Sequence, residues 1–174
     1  DLITSRVRLV AVTQISNVLG IVNPVKEIVA ICHAKGCPVL VDGAQGIVHD
    51  VVDVQDLDCD FYAFSGHKMY AATGTGVLYG KRKWLERMPP YQAGGEMIET
   101  VKFSGTTFAP LPQKFEAGTQ NINATPALKP AIECVKLMRD PELVAAHKAV
   151  REYLYKALTS DPRIRLYGLP QRTE

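Results

Sequence analysis

Three short polar clusters each follow an apolar run: Asn17 after residues 6–13, Asp42-Gly43-Ala44-Gln45 after residues 38–41, and Ser65-Gly66-His67-Lys68 after residues 61–64. Between them they supply two amides, a carboxylate, a hydroxyl, an imidazole and an ammonium. Partial desolvation beside a cationic group frees a lysine amine for carbonyl chemistry, which makes Lys68 a candidate for covalent work. Asp42, at the end of Val39-Leu40-Val41, needs a cationic partner or a capping role, because an ionised carboxylate is costly where solvent is limited. A protonated pyridine nitrogen is one such partner, and pyridoxal-phosphate (PLP) enzymes pair it with an Asp or Arg while a lysine holds the cofactor as a Schiff base. A helix cap or an arginine pair would explain Asp42 alone just as well, and a lone Lys68 reads as an ordinary surface lysine. The company each keeps favours the cofactor: Ser65 and His67 are donors suited to a phosphate, and Gly66 permits close backbone approach.

The elements that must position these groups can be read from periodicity. Residues 6–13 are a β-branched run and predict a strand. Asn23-Pro24 opens a helix in which Val25, Ile28, Val29 and Cys32 recur at helical spacing, and Gly36 closes it. Residues 38–41 have the continuous apolar character of a strand buried on both faces, and residues 61–64 and 77–79 repeat it. Strand, helix and strand at this spacing predict an α/β layered fold with a largely parallel sheet, in which ligands collect outside the carboxyl ends of the strands. The direction of the later strands is left open. Residues 89–123, rich in Gly, Pro and Thr, predict a long functional loop. Helices are predicted over 127–138 and 142–158, separated by Asp140-Pro141, and residues 164–167 predict a strand of another domain.

Composition narrows the function. Of 174 residues, 47% are hydrophobic, enough for a real core and against disorder. The net charge of +2 comes from scattered Lys and Arg, which predicts neither nucleic-acid nor membrane-surface binding. No apolar run approaches the roughly 20 residues of a membrane span. Cys32, Cys37, Cys59 and Cys134 are irregularly spaced without a secretion signal, which favours free structural thiols and a cytoplasmic location. Both ends read as cuts through a longer protein. Three rival motifs fail. Gly74-Thr75-Gly76 has Tyr79 where a dinucleotide fingerprint needs its third glycine, and Ser65 lacks the flanking glycines of a hydrolase elbow. Cys32-His33 and Cys37 have no second ligand pair to complete a zinc site, so no metal is expected.

Three ordered segments carry a family resemblance: Val41-Asp42-Gly43-Ala44-Gln45, residues 60–68 (DFYAFSGHK), and residues 74–80 (GTGVLYG). They resemble the class V aminotransferase family, and within it the SufS/CsdA-type (group II) cysteine desulfurases. Residues 15–20 (ISNVLG) and 115–121 (FEAGTQN) are similar to the same group. The resemblance implies the PLP-dependent transferase fold type I, with residues 1–139 in the cofactor-binding large domain and 140–174 opening a small C-terminal α+β domain. It implies a homodimer that takes sulfur from L-cysteine, leaves L-alanine, and passes a persulfide to a sulfur-acceptor protein for iron–sulfur cluster assembly. Carried over by motif, Lys68 holds PLP and moves protons at the substrate carbon. Asp42 pairs with the pyridine nitrogen and Gln45 with the phenolic oxygen. Ser65 and His67 hold the phosphate, Thr119 reaches the phosphate of the neighbouring subunit's cofactor, and Asn17 contacts the substrate carboxylate. Residues 94–98 belong to a loop near the site's entrance and the dimer contact. The family's sulfur-accepting cysteine and carboxylate-binding arginine are expected downstream of residue 174, and the group that stacks on the ring upstream of residue 1. Met69-Tyr70-Ala71-Ala72 departs mildly from the family pattern. Other class V activities, an aminotransferase or a kynureninase-like hydrolase, use the same cofactor-holding residues, and a non-catalytic relative would keep the same fold.

Overall fold

The structure, a computed structural model, describes residues 2–168. Its centre is a four-stranded sheet of β1 (Val10–Thr13), β2 (Val39–Asp42), β3 (Phe61–Ser65) and β4 (Gly76–Gly80), in that spatial order. The first three strands are parallel and β4 runs antiparallel to β3, which settles the direction left open by sequence. The register sets Thr13 beside Asp42 and Asp42 beside Ala63, so the carboxyl ends of β1 to β3 share one edge of the sheet.

Helix α1 (Val25–Ala34) makes the crossover from β1 to β2. Val25, Val29 and Cys32 fall on one face at helical spacing and are all buried. Gly36, at φ 68°, ends that turn in the left-handed region where a side chain is strained. These residues pack with Cys37, Val39, Val41, Cys59 and Tyr62 into the main core. The expectation that β2 is buried on both faces is met on one face only: Val39 and Val41 are fully buried, while Leu40 on the other face is half-buried. Two four-residue helices, α2 (Gly46–His49) and α3 (Val54–Leu57), fill the connection from β2 to β3, and α4 (Arg82–Arg87) follows β4. Asp53 caps α3 by accepting from the Gln55 and Asp56 amides.

Three expectations change in detail. The first strand begins at Val10 rather than residue 6. The span 89–123 is not one loop: it contains a hairpin of β5 (Ile98–Lys102) and β6 (Gly105–Phe108), exposed nearly throughout. Residues 164–167 form no strand, because no neighbouring strand offers them a ladder among the described residues. All four cysteines are free thiols, Cys32, Cys37 and Cys59 buried and Cys134 exposed. Helix α5 (Leu128–Leu137) lies within the predicted range, and α6 (Pro141–Thr159) starts where Asp140 accepts from the amides of Glu142 and Leu143 and Pro141 takes the first helical position. Helix α6 buries none of its residues; Leu143, Val144, Val150, Tyr153 and Leu154 are exposed.

Candidate active site

All the predicted groups but Thr119 sit at or shortly after the end of a strand. Asp42 is the last residue of β2, and its exposed carboxylate accepts the Ala44 amide at 2.9 Å in a short local turn. It forms no ion pair among the described residues. Gln45 ends the same loop and donates through Nε2 to Asn17 Oδ1 at 2.8 Å, so two residues 28 apart in sequence meet above the ends of β1 and β2. The family resemblance implies separate partners for Asn17 and Gln45; in the structure they are hydrogen-bonded to each other.

Ser65 is the last residue of β3, and the chain turns at once into a single 3₁₀ turn, Gly66–Met69, that carries His67 and Lys68. Both side chains are exposed, so Lys68 is more open than the partial desolvation expected of it. The turn itself is fixed. Met69 is buried against Ala131 and Val135 of α5, with Phe64, Ile47 and Leu128 around them. The Gly66 amide is not left for a ligand, as the motif alone suggests. It donates to Thr75 O at 2.9 Å, and a Cβ there would meet Thr75 Oγ1 at 2.6 Å and Leu128 Cδ2 at 3.3 Å. The glycine serves close packing of the turn against the start of β4.

Thr119 stands apart. It is exposed, and no hydrogen bond joins it to the other candidates among the described residues. Its neighbour Gly118 donates to Gly95 O at 3.0 Å, which brings the 94–98 and 115–121 segments together. Within the first of these, Met97 is fully buried and works as an anchor.

Sequence reasoning missed a buried polar layer under the loop 42–46. The Tyr62 hydroxyl donates to Gln14 Oε1 at 2.6 Å, and Gln14 Nε2 donates to Asp50 Oδ2 at 3.2 Å. Burial, with the nearby Cys59, Asp50 and Asp42 adding to it, pushes the Tyr62 phenol far up, so it stays a neutral donor. Gly43 and Gly46 are the only traces of this layer in the motif: a Cβ on Gly43 would lie 1.9 Å from the Tyr62 ring, and one on Gly46 would lie 1.9 Å from Gln14 Oε1.

The opposite end of the sheet holds a structural counterpart. Asp60, buried before β3, accepts from the Val39 amide at 2.9 Å, His33 Nε2 at 2.7 Å and Trp84 Nε1 at 2.6 Å. Burial alone would raise its carboxyl, yet these hydrogen bonds outweigh that and hold it below the usual range. His33 therefore lies between Asp60 and Asp58, with Nε2 2.7 Å from Asp60 Oδ2 and Nδ1 3.3 Å from Asp58 Oδ2. Burial likewise raises the Cys32 and Cys59 thiols, which makes both poor nucleophiles.

The chain belongs to the class-V aminotransferase family, whose model matches residues 1–174. It is similar to a cysteine desulfurase of Pectobacterium carotovorum subsp. carotovorum (strain PC1), 49% identical over 172 residues that cover 98% of this chain and 42% of that protein. A cysteine desulfurase of Dickeya dadantii (strain 3937) is 49% identical over 168 residues, covering 96% of this chain and 41% of that one. Among solved structures, the apo cysteine desulfurase of Thermococcus onnurineus NA1 superposes with a TM-score of 0.85 at 34% identity, covering 94% of this chain and 41% of that one. The Escherichia coli cysteine desulfurase CsdA, solved as its S-sulfonic acid, gives 0.74 at 49% identity, covering 78% and 34%. The α/β architecture is that of fold type I. The chain spans about 42% of the length of the curated relatives it matches.

Proposed function

We propose that this chain is the central part of a PLP-dependent cysteine desulfurase. The observation that carries the reading is that Asp42, the Asn17–Gln45 pair and Lys68 stand at the carboxyl ends of three adjacent parallel strands. The donor set fits the cofactor: an unpaired carboxylate for a pyridinium, an amide for a phenolic oxygen, hydroxyl and imidazole groups for a phosphate, and an amine for an aldehyde. When bound, PLP supplies an electron sink for a substrate carbanion.

The residues of the set divide the work. Lys68 holds the cofactor covalently, and its amine then moves a proton at the substrate carbon. Asp42 keeps the pyridine nitrogen protonated. Gln45, steadied by Asn17, donates to the phenolic oxygen, and Asn17 also contacts the substrate carboxylate. Ser65 and His67 bind the phosphate, and Thr119 reaches that of the partner subunit in a homodimer. Residues 1–139 form part of the large domain and 140–174 begin the small one. The similarity to desulfurases at 49% identity supports L-cysteine as substrate, with L-alanine and a persulfide as products, over the other activities this residue set could serve. The persulfide sulfur goes to an acceptor protein for iron–sulfur cluster assembly in the cytoplasm.

Incubating the full-length protein with PLP and L-cysteine tests this directly. Stoichiometric L-alanine with protein-bound sulfane sulfur is the expected result. Transamination to a keto acid, or no turnover by a protein that binds PLP, would refute the desulfurase reading.

A further inference from the structure

We propose that Gln14 is a positioning residue for the cofactor site: its side-chain amide ties the Tyr62 hydroxyl to the Asp50 carboxylate and so sets the loop that presents Asp42 and Gln45. The inference rests on the reading that Asp42 and Gln45 face bound PLP.

Gln14 follows β1 directly and is 4% exposed, a position where an unbonded amide would be costly. Its backbone and side-chain amides are all engaged. Its backbone N–H donates to Asp42 O at 2.9 Å, and its carbonyl accepts from the Asn23 amide at 2.9 Å. Its Oε1 accepts from Tyr62 and its Nε2 donates to Asp50. The Asp50 carboxylate can only accept and the neutral phenol donates, so the amide has one workable orientation.

Gln14 therefore touches both ends of the loop, its backbone at the start and its side chain at the far end. At its start, the Gln14 backbone holds Asp42, and the Gly43 amide donates to Ala63 O at 2.8 Å. At its far end, Asp50 closes α2, where Arg139 donates to the carbonyls of Ile47 and Asp50. Between them the Tyr62 ring lies against Gly43 and the Gln14 amide against Gly46, leaving no room for a Cβ at either glycine. The loop rests on a floor of one ring and one amide, and a few tenths of an ångström at that floor move the carboxylate and the amide above it.

Two variants of the full-length holoprotein test the role. Gln14→Met keeps the volume and removes the hydrogen bonds; Tyr62→Phe removes only the hydroxyl. The readouts are the pH titration of the bound cofactor's visible absorbance, the PLP dissociation constant, and kcat against KM for L-cysteine. A filler of the core would lower the melting temperature and leave the titration alone. A positioning residue shifts the titration, weakens PLP binding about tenfold, the size of one buried hydrogen bond, and lowers kcat more than KM. The double variant falls no further than the worse single one, because both break one network. Wild-type titration and affinity in the folded variants overturn the proposal, and Tyr62→Phe decides alone if Gln14→Met does not fold. Borohydride labelling of Lys68 separates the two levels: labelled variants with unchanged spectra sink the role of Gln14, whereas an unlabelled wild type sinks the cofactor reading beneath it.

Discussion

Gly43→Ala adds one methyl group and is predicted to be among the most disruptive small substitutions in this chain. Gly43 is buried and has no positive φ, so alanine can adopt its backbone conformation without strain. The cost lies in what the methyl group meets. Its carbon would lie 1.9 Å from Tyr62 Cζ, 2.1 Å from Cε1 and 2.2 Å from the hydroxyl oxygen. The ring must retreat by about 1.5 Å to regain van der Waals separation. Tyr62 is 2% exposed and packed against the main core, so it has nowhere to go without breaking its 2.6 Å bond to Gln14. Overpacking of this kind costs about 1–3 kcal/mol, and an orphaned buried acceptor adds a similar amount. Together they predict a loss of about 2–6 kcal/mol in urea unfolding of the apoprotein. The diagnostic is a cycle with Tyr62→Leu, which removes the ring. The methyl group should cost much less in that background, with a coupling above about 1 kcal/mol. A loss below about 1 kcal/mol, or additive effects, would refute the ring-under-glycine geometry.

Acid stability, the Lys68 side chain and the exposed apolar faces give three further outcomes. Asp60 is held below its usual range, so its stabilising contribution is complete above the unfolded aspartate value of about 3.9 and is lost as pH falls through the folded value. The urea midpoint should therefore fall steeply below about pH 4, and Asp60→Asn should flatten that dependence while destabilising the protein at about pH 7; an unchanged acid limb would contradict it. Lys68→Ala should leave the unfolding free energy within about 0.5 kcal/mol of wild type, since the side chain is exposed, while removing all turnover. The 174-residue segment expressed alone should aggregate, because β4 exposes Val77 and Leu78 and α6 leaves its apolar side chains uncovered. A monomeric, cooperatively unfolding sample would contradict that.

The strand ends that hold Asp42 and Lys68 are legible in the sequence because β2 and β3 are continuous apolar runs, the pattern a buried parallel strand requires. Helix α1 is legible for a related reason: its buried face repeats at helical spacing, between a proline and a glycine. The β5–β6 hairpin is not, since Thr100, Lys102, Thr106 and Thr107 give no alternation and almost every residue of both strands is exposed. Residues 164–167 show the opposite error, a strand-like composition with no ladder to join among the described residues. The layer under the site is invisible in the sequence because Tyr62 and Gln14 lie 48 residues apart, and Gln14 and Asp50 lie 36 apart. Only Gly43 and Gly46 mark it, and a glycine in a motif does not say which side chain excludes its Cβ.

Everything proposed for the site depends on Lys68 carrying the cofactor. Borohydride reduction of the full-length protein after incubation with PLP, with peptide mapping of the product, tests this most directly. A reduced pyridoxyl group on the peptide containing Lys68, absent from Lys68→Ala, is the predicted result. A label on another lysine, or a wild type that takes up none, would contradict it.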